Sequence, residues 1–144
     1  MKGSYVLLIE LSEKQIIAIG NLKAVHFHRG GYAYVGSAMG GFKSRLNRHL
    51  KGNKSPRWHI DYLLQQAPIS DIILCETKDR VECAIAQALS RQFESIPGFG
   101  SSDCKCRSHL FFTADERQMK SKVMTNIGSL SIKPRLIAAL SITM

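Results

Sequence analysis

This sequence has no long apolar run, no internal repeat and no low-complexity stretch. Its hydrophobic segments fall short of the roughly 18 residues that a membrane span requires, so no membrane partner is expected. The apolar stretch at residues 5–11 is interrupted by Glu10 and is followed by no small-residue cleavage site, which predicts a strand rather than a signal peptide. Hydrophobic residues make up 44% of the 144 residues and charged residues 22%, which excludes a disordered chain and favours one compact core.

Negative charge is missing from a large part of the chain. Between Lys14 and Arg57 there are nine lysines and arginines and no carboxylate, and the rest of the chain carries 11 charges of each sign. This segment therefore accounts for the whole net charge of +9. Positive charge collected in one stretch is typical of a protein that binds nucleic acid, although a basic surface without a partner has the same composition. The predicted nucleic-acid contacts are Lys43, Arg48, Lys51, Lys54 and Arg57.

The predicted elements begin with β-rich runs at residues 5–11, 15–20, 24–28 and 32–36. Phe42, Leu46 and Leu50 then form one apolar stripe at helical spacing. The later elements are a short helix at 58–66, a strand at 69–75, the clearest helix at 79–93, a last edge strand at 109–112 and a helical extension over residues 114–144. This order predicts a small α+β fold with a domain at 1–113 and a separate C-terminal extension.

Arg45 and His49 lie four residues apart on the predicted helix, so their side chains share one face. An arginine that binds phosphate oxygens beside a proton-transfer group suits phosphodiester chemistry. The alternative is the solvated face of an amphipathic helix.

Several motifs resemble those of the GIY-YIG nucleases. Residues 3–5 (Gly-Ser-Tyr) and 34–36 (Tyr-Val-Gly) correspond to the two tyrosine motifs, and Arg45, His49 and Glu82 follow in the family's order. The blocks at 34–38, 58–63 and 98–109 are similar to an uncharacterised, largely prokaryotic branch of that superfamily. Two departures are Ser4 in place of isoleucine and 28 residues between the tyrosine motifs, which an inserted strand at 24–28 would explain.

The resemblance implies a three-stranded antiparallel sheet flanked by helices and an endonuclease that cuts nucleic acid, with DNA as the expected polymer. It implies that Glu82 holds one Mg²⁺ or Mn²⁺ ion and that Tyr5, Tyr34, Arg45 and His49 complete the catalytic set. Each assignment has a structural alternative: the tyrosines suit half-buried strand positions, and Glu82 stands three residues after Asp79, the spacing of a helix capping box. A catalytically inactive nucleic-acid-binding module on the same fold is the first alternative function.

Cysteines are few, and Cys104, Cys106 and His109 lie within six residues of one another. Four cysteines without a secretory signal predict reduced thiols and a cytoplasmic location. The cluster offers three zinc ligands, with Cys83 or His59 as a fourth, or a thiol nucleophile with a histidine base. The favoured interpretation is a loop packed by small thiols beside the active site. Zinc is not expected, because Cys-x-Cys is an unusual ligand spacing and Lys105 and Arg107 disfavour a dication. His59 and Asp61 are further site candidates, although their spacing on a helix points them in different directions.

Overall fold

The computed structural model describes residues 1–52 and 55–139, and they form an α+β fold around a six-stranded antiparallel sheet. The spatial order of the strands is β6-β7-β4-β1-β5-β8, and a separate hairpin pairs β2 with β3. The strands are β1 (Gly3–Leu11), β2 (Gln15–Ala18), β3 (Ala24–Phe27), β4 (Gly30–Ala38), β5 (Ile69–Glu76), β6 (Glu94–Ser95), β7 (Leu110–Thr113) and β8 (Arg135–Ala138). The helices are α1 (Phe42–Leu50), α2 (His59–Leu64), α3 (Glu82–Ser90) and α4 (Glu116–Ser129).

The central strands β1 and β4 are apolar on both faces because both faces of the sheet are covered. Side chains alternate along a strand, so Tyr5 and Leu7 enter one core while Val6 and Leu8 enter the other. This arrangement explains why β1 is an almost continuous hydrophobic run with Glu10 as its one exposed residue. The sheet is the middle layer of three.

Helices α1 and α2 and the β2–β3 hairpin cover the first face. Phe42 and Leu46 of α1 are buried one helical turn apart, and Ile60 and Leu63 of α2 are fully buried beside them. The second face is covered by α3 and α4, where Met119, Val123 and Ile127 repeat every fourth residue. Residues on both sides of position 113 therefore contribute to one core.

The C-terminal region differs from the expected helical extension. Helix α4 is present, but residues 135–138 pair with β5 as an edge strand, from Asp71 opposite Ala138 to Leu74 opposite Arg135. Residues 135–138 pair with backbone groups that β5 would otherwise expose at the edge of the sheet. Residues 140–144 of the predicted helical extension lie outside the described residues.

Other predictions need adjustment. The sheet has six strands rather than three, and β7, predicted at the edge, is an interior strand because β6 pairs with its outer side. The inserted strand near residues 24–28 is confirmed as β3, although it belongs to the hairpin and not to the main sheet. Helix α3 begins at Glu82, three residues later than predicted. Across residues 1–52 and 55–139, no helix combines the length and the apolar character needed to cross a bilayer.

Candidate functional site

A cleft of about 500 Å³ opens where β4, α1, the starts of α2 and α3 and the loop at residues 100–109 meet. Tyr34, Arg45 and Glu82, three of the residues predicted for catalysis, line this cleft. A larger cavity of about 860 Å³ lies between the N-terminus and residues 133–135, but none of the predicted site residues that the structure describes lines it. The smaller cleft is the candidate site because the chemistry-bearing side chains converge there.

The two motif tyrosines occupy different depths. Tyr34 lines the cleft, whereas Tyr5 lies behind it with its hydroxyl 2.5 Å from Nε2 of His49. Burial raises the pKa of Tyr34 well above its usual value, the nearby Glu82 carboxylate adds to the rise, and Arg45 opposes it. Burial is also the largest cause of the raised pKa of Tyr5. Both hydroxyls are therefore protonated at neutral pH.

Gly36 is required by the packing of Tyr5. The two residues lie directly opposite each other in the β1–β4 pair, and a Cβ on Gly36 would come within 2.4 Å of Cζ of Tyr5. The glycine of the Tyr-Val-Gly motif thus lets the tyrosine ring cross the neighbouring strand. Gly100 acts similarly for Tyr34: its φ is +68°, and an added Cβ would lie 3.0 Å from the ring.

Three arginines line the cleft, namely Arg45, Arg57 and Arg80. The guanidinium carbon of Arg45 lies 4.5 Å from the ring centroid of Trp58, and that of Arg57 lies 5.8 Å from it. This cation–π contact holds Arg45 beside the cleft, where it also acts electrostatically on Glu82. Such an arrangement leaves positive charge available for an anionic ligand.

Two carboxylates, those of Glu82 and Asp103, also line the cleft. Glu82 is the first residue of α3, and its N-cap, Val81, makes no side-chain cap bond, so the capping-box alternative is wrong. Asp103 lines the same cleft, although its local sequence did not predict it as a site residue. Burial raises the pKa of Glu82, with Asp103 adding to the rise and Arg45 and Arg80 opposing it. A pair of oxygen donors beside arginines is a donor set that suits a hard divalent cation with a phosphate.

Asp61 has a structural role instead of a place in the cleft. Its carboxylate is fully buried, accepts hydrogen bonds from the backbone N–H groups of Arg57 and Trp58, and lies 2.7 Å from Arg48. Arg48 was expected to be exposed for nucleic acid, but it is only 25% exposed and is paired with Asp61. The pair ties α1 to the start of α2.

Some of the other candidates line the cleft, and the others lie elsewhere in the fold. His49 is buried and does not line the cleft, whereas His59 lines it, with Nδ1 accepting from the N–H of Gly100. Of the predicted nucleic-acid contacts, Arg57 lines the cleft, while Lys43 and Lys51 line other pockets. Lys54 lies outside the described residues.

The cysteine cluster adjoins the cleft, which Cys83, Cys104 and His109 line. Cys83, Cys104, Cys106 and His109 each offer a ligand atom, and these atoms all lie within 4.8 Å of one another. The sequence suggested Cys83 or His59 as the fourth ligand of this cluster. Cys83 is the one that joins it, because helix α3 begins beside the loop at residues 100–109. All four cysteines are free thiols, and Cys75 is buried in β5, as its strand position predicts.

A protein family described as a domain of unknown function, DUF123, matches residues 4–132. The chain is a DUF123 protein. The match covers β1 through α4, and so includes every element that lines the cleft. No curated protein matches this DUF123 chain, and no solved structure does.

Proposed function

We propose that this DUF123 protein is a divalent-metal-dependent endonuclease that hydrolyses phosphodiester bonds in nucleic acid, with DNA as the expected substrate. The observation that supports the proposal is the convergence of Tyr34, Arg45 and Glu82, distant in sequence, on one cleft. Their order and the flanking motifs resemble the GIY-YIG nucleases. A cytoplasmic location, where nucleic acid and reduced thiols occur together, is part of the proposal.

The arginines would bind the substrate. Arg57 and Arg80 are exposed at the cleft and would neutralise phosphates along the strand. Arg45 is held by Trp58 and is deeper, so it would face the phosphate that reacts. A guanidinium at that point contributes most when negative charge builds up on the phosphate in the transition state.

Glu82 and Asp103 would hold the divalent ion. Carboxylate oxygens are the protein ligands that Mg²⁺ prefers, with water and substrate phosphate completing its octahedron. When bound, the ion would stabilise the leaving oxyanion and offset the Glu82 charge that raises the pKa of Tyr34. The two carboxylates come from the start of α3 and from the loop at 100–109, so both segments must be in place for the ion to bind.

Tyr34 is the hydroxyl that would contact the attacking water. It lines the cleft, and because burial keeps it protonated it can donate a hydrogen bond to a phosphate oxygen or orient the water. Tyr5 lies behind the cleft and is hydrogen-bonded to His49, so we assign this pair a positioning role. Their contact fixes α1, which carries Arg45, against β1.

The decisive experiment compares wild type with Glu82→Gln in Mg²⁺ or Mn²⁺ on plain, branched and damaged DNA and on RNA. The wild type should cut at least one substrate, and Glu82→Gln should lose roughly 100-fold or more of the rate while retaining fold and substrate binding. Glu94→Gln, an exposed carboxylate of β6 outside the cleft, is the matched control and should cut normally. Equal cutting by Glu82→Gln would overturn the metal assignment.

A second candidate is a nucleic-acid-binding module without catalysis. It is favoured by the raised pKa values of both tyrosines, which disfavour their ionised, basic form, and by the position of His49, which is buried and does not line the cleft. Binding without cutting on every substrate would support it. The thiol-enzyme alternative has less support, because burial and the neighbouring thiols raise the pKa of Cys106 to about 12.

A further inference from the structure

The strongest cluster outside the proposed phosphodiester chemistry is the one formed by three thiols and an imidazole. Its donors come from three segments: Cys83 from the first turn of α3, Cys104 and Cys106 from the loop, and His109 from the residue before β7. In a tetrahedral zinc site the ligand atoms are roughly 3.3–3.8 Å apart, given Zn–S near 2.3 Å and Zn–N near 2.0 Å. Sγ of Cys104 lies 3.4 Å from Nε2 of His109, and all four donors fit within 4.8 Å.

We infer that Cys83, Cys104, Cys106 and His109 bind one Zn²⁺ ion as a closed, four-ligand Cys₃His site. Binding would convert three thiols to thiolates and release three protons, which leaves the site with a net charge of −1. Thiolate and imidazole donors select a soft or borderline ion such as zinc, whereas magnesium selects oxygen. The site is therefore distinct from the one at Glu82 and does not depend on the proposed nuclease activity.

The orientation of His109 supports this assignment. Its Nε2 faces Cys104, while its Nδ1 lies 3.9 Å from a carboxylate oxygen of Glu82. A zinc-binding histidine commonly directs its second nitrogen toward a carboxylate or a backbone carbonyl, which fixes the ring and its tautomer. The imidazole is thus oriented with Nε2 toward the thiol cluster and Nδ1 on the side of Glu82.

The sequence features that argued against zinc do not prevent a zinc site in the folded chain. The Cys-x-Cys pair lacked a further ligand, and α3 supplies it through Cys83. Lys105 and Arg107 were expected to repel a dication, but both side chains are exposed. Simple packing of small thiols also fits poorly, since Cys83, Cys104 and Cys106 are all partly exposed rather than buried in a core.

A closed zinc site here would be structural. The loop at residues 96–109 has few backbone bonds of its own, among them Gly98 to Arg107 and His109 to Phe99. Zinc would link this loop to the start of α3 and to β7. Glu82 and Asp103 each adjoin a zinc ligand in sequence, so the metal would also position both carboxylates of the cleft.

The test measures metal in protein purified without chelator from zinc-supplemented medium. We expect about one zinc per chain by elemental analysis, and cobalt substitution should give the intense visible bands of a tetrahedral, thiolate-bound ion. Cys83→Ser should lower zinc affinity by about 100-fold or more, as should Cys106→Ser. Cys75→Ala, which removes a thiol outside the cluster, is the control and should keep the full zinc content.

A second measurement does not require any variant to fold. Wild-type protein is stripped of metal by a chelator and then titrated with zinc. Adding zinc should release about three protons per ion and raise the melting temperature. Absence of stoichiometric zinc together with no cobalt spectrum would overturn the inference, as would full zinc retention by Cys83→Ser or a disulfide formed within the cluster in place of metal binding. None of these measurements depends on cleavage of nucleic acid, so a failure of the nuclease proposal can be distinguished from a failure of the zinc inference.

Discussion

At the scale of single residues, the carboxylates Asp61 and Glu82 show how burial and partners separate structural from chemical roles. Asp61 is fully buried and directs one oxygen at Arg48 and two backbone N–H groups. Glu82 is 30% exposed and faces a cleft lined by arginines. Both sit near the start of a helix, so position in sequence alone does not distinguish them. The difference predicts that replacing the acid by its amide lowers stability at Asp61 and lowers activity at Glu82.

Asp61→Asn should destabilise the protein by about 3 kcal/mol, because it leaves the partly buried Arg48 without its counter-charge. Urea unfolding followed by circular dichroism measures the free energy of unfolding. The matched control is Asp71→Asn, whose ion pair with Lys120 is longer, at 3.4 Å, and more exposed. The control should cost under about 1 kcal/mol. Similar losses for both variants would contradict the structural role of Asp61.

His59 should make stability depend on pH. Burial lowers its pKa, and the neutral ring accepts a hydrogen bond from Gly100 at Nδ1 while Nε2 lies 2.9 Å from the side-chain oxygen of Asn21. As pH falls through the unfolded-state pKa of about 6.5, the unfolded chain takes up this proton before the folded chain does. The His59 contribution is therefore complete above pH ~7.5 and declines below it, until the folded pKa is reached.

The measurement is the free energy of unfolding of wild type and His59→Gln at several pH values between about 5.5 and 7.5. The wild-type curve should fall more steeply toward acid than the variant curve, since only the wild type carries this group. Effects of His109 and of the cysteines are common to both proteins and cancel in the difference. Two parallel curves would show that His59 is not responsible.

At the scale of elements, helix α4 is part of the domain core. Its apolar stripe contacts α3 and β4, and Ile127 is fully inaccessible to solvent. Gly31 of β4 is small for the same reason: a Cβ there would lie 3.0 Å from Glu116 at the start of α4. The helix and the strand that follows it thus complete the second face and one edge of the sheet.

Ile127→Ala should cost about 2–5 kcal/mol, because it removes buried methyl groups and leaves a cavity between α4 and the sheet. Denaturant unfolding measures the loss. Lys122→Ala, an exposed position on the same helix, should change stability by less than about 0.5 kcal/mol. If Ile127→Ala were as mild as the control, α4 would be an appendage rather than part of the core.

At the scale of the whole molecule, the fold redistributes the basic segment. Positive charge that is continuous in sequence is divided among the cleft, the Arg48–Asp61 pair and separate surfaces that carry Lys43 and Lys51. Arg80, outside the basic segment, joins Arg45 and Arg57 at the cleft. The electrostatic footprint of a bound strand should therefore follow the cleft rather than the segment.

Affinity for a short labelled DNA duplex should fall with salt. If four to six phosphates are neutralised, log K against log salt has a slope of roughly −4 to −5. Arg57→Gln and Arg80→Gln should each reduce the slope by about one, whereas Lys43→Gln, at a position outside the cleft, should leave it unchanged. Fluorescence anisotropy across a salt series measures this. An affinity independent of salt, or equal effects of all three variants, would contradict binding at the cleft.

Local sequence patterns determined most of the individual elements. The stripe of Phe42, Leu46 and Leu50 predicted α1 over its observed bounds, and β-rich runs predicted β1, β4 and β5 to within a few residues. Side-chain periodicity carries this information because it records which face of an element is buried. The two-residue strand β6 and the strand β8 were missed, since short edge strands depend on the neighbour that pairs with them.

The sequence also pointed to Tyr34, Arg45 and Glu82, but only the tertiary structure decided which candidates share a cleft. Asp103 has no local signal as a site residue, and the sequence offered Cys83 only as one of two possible fourth ligands. Both join the cleft because the loop at 100–109 packs beside the start of α3. Arg48 and Asp61 leave the list because burial pairs them with each other. Side-chain type and spacing are local properties, whereas burial, charge partners and proximity arise from contacts between residues far apart in the chain.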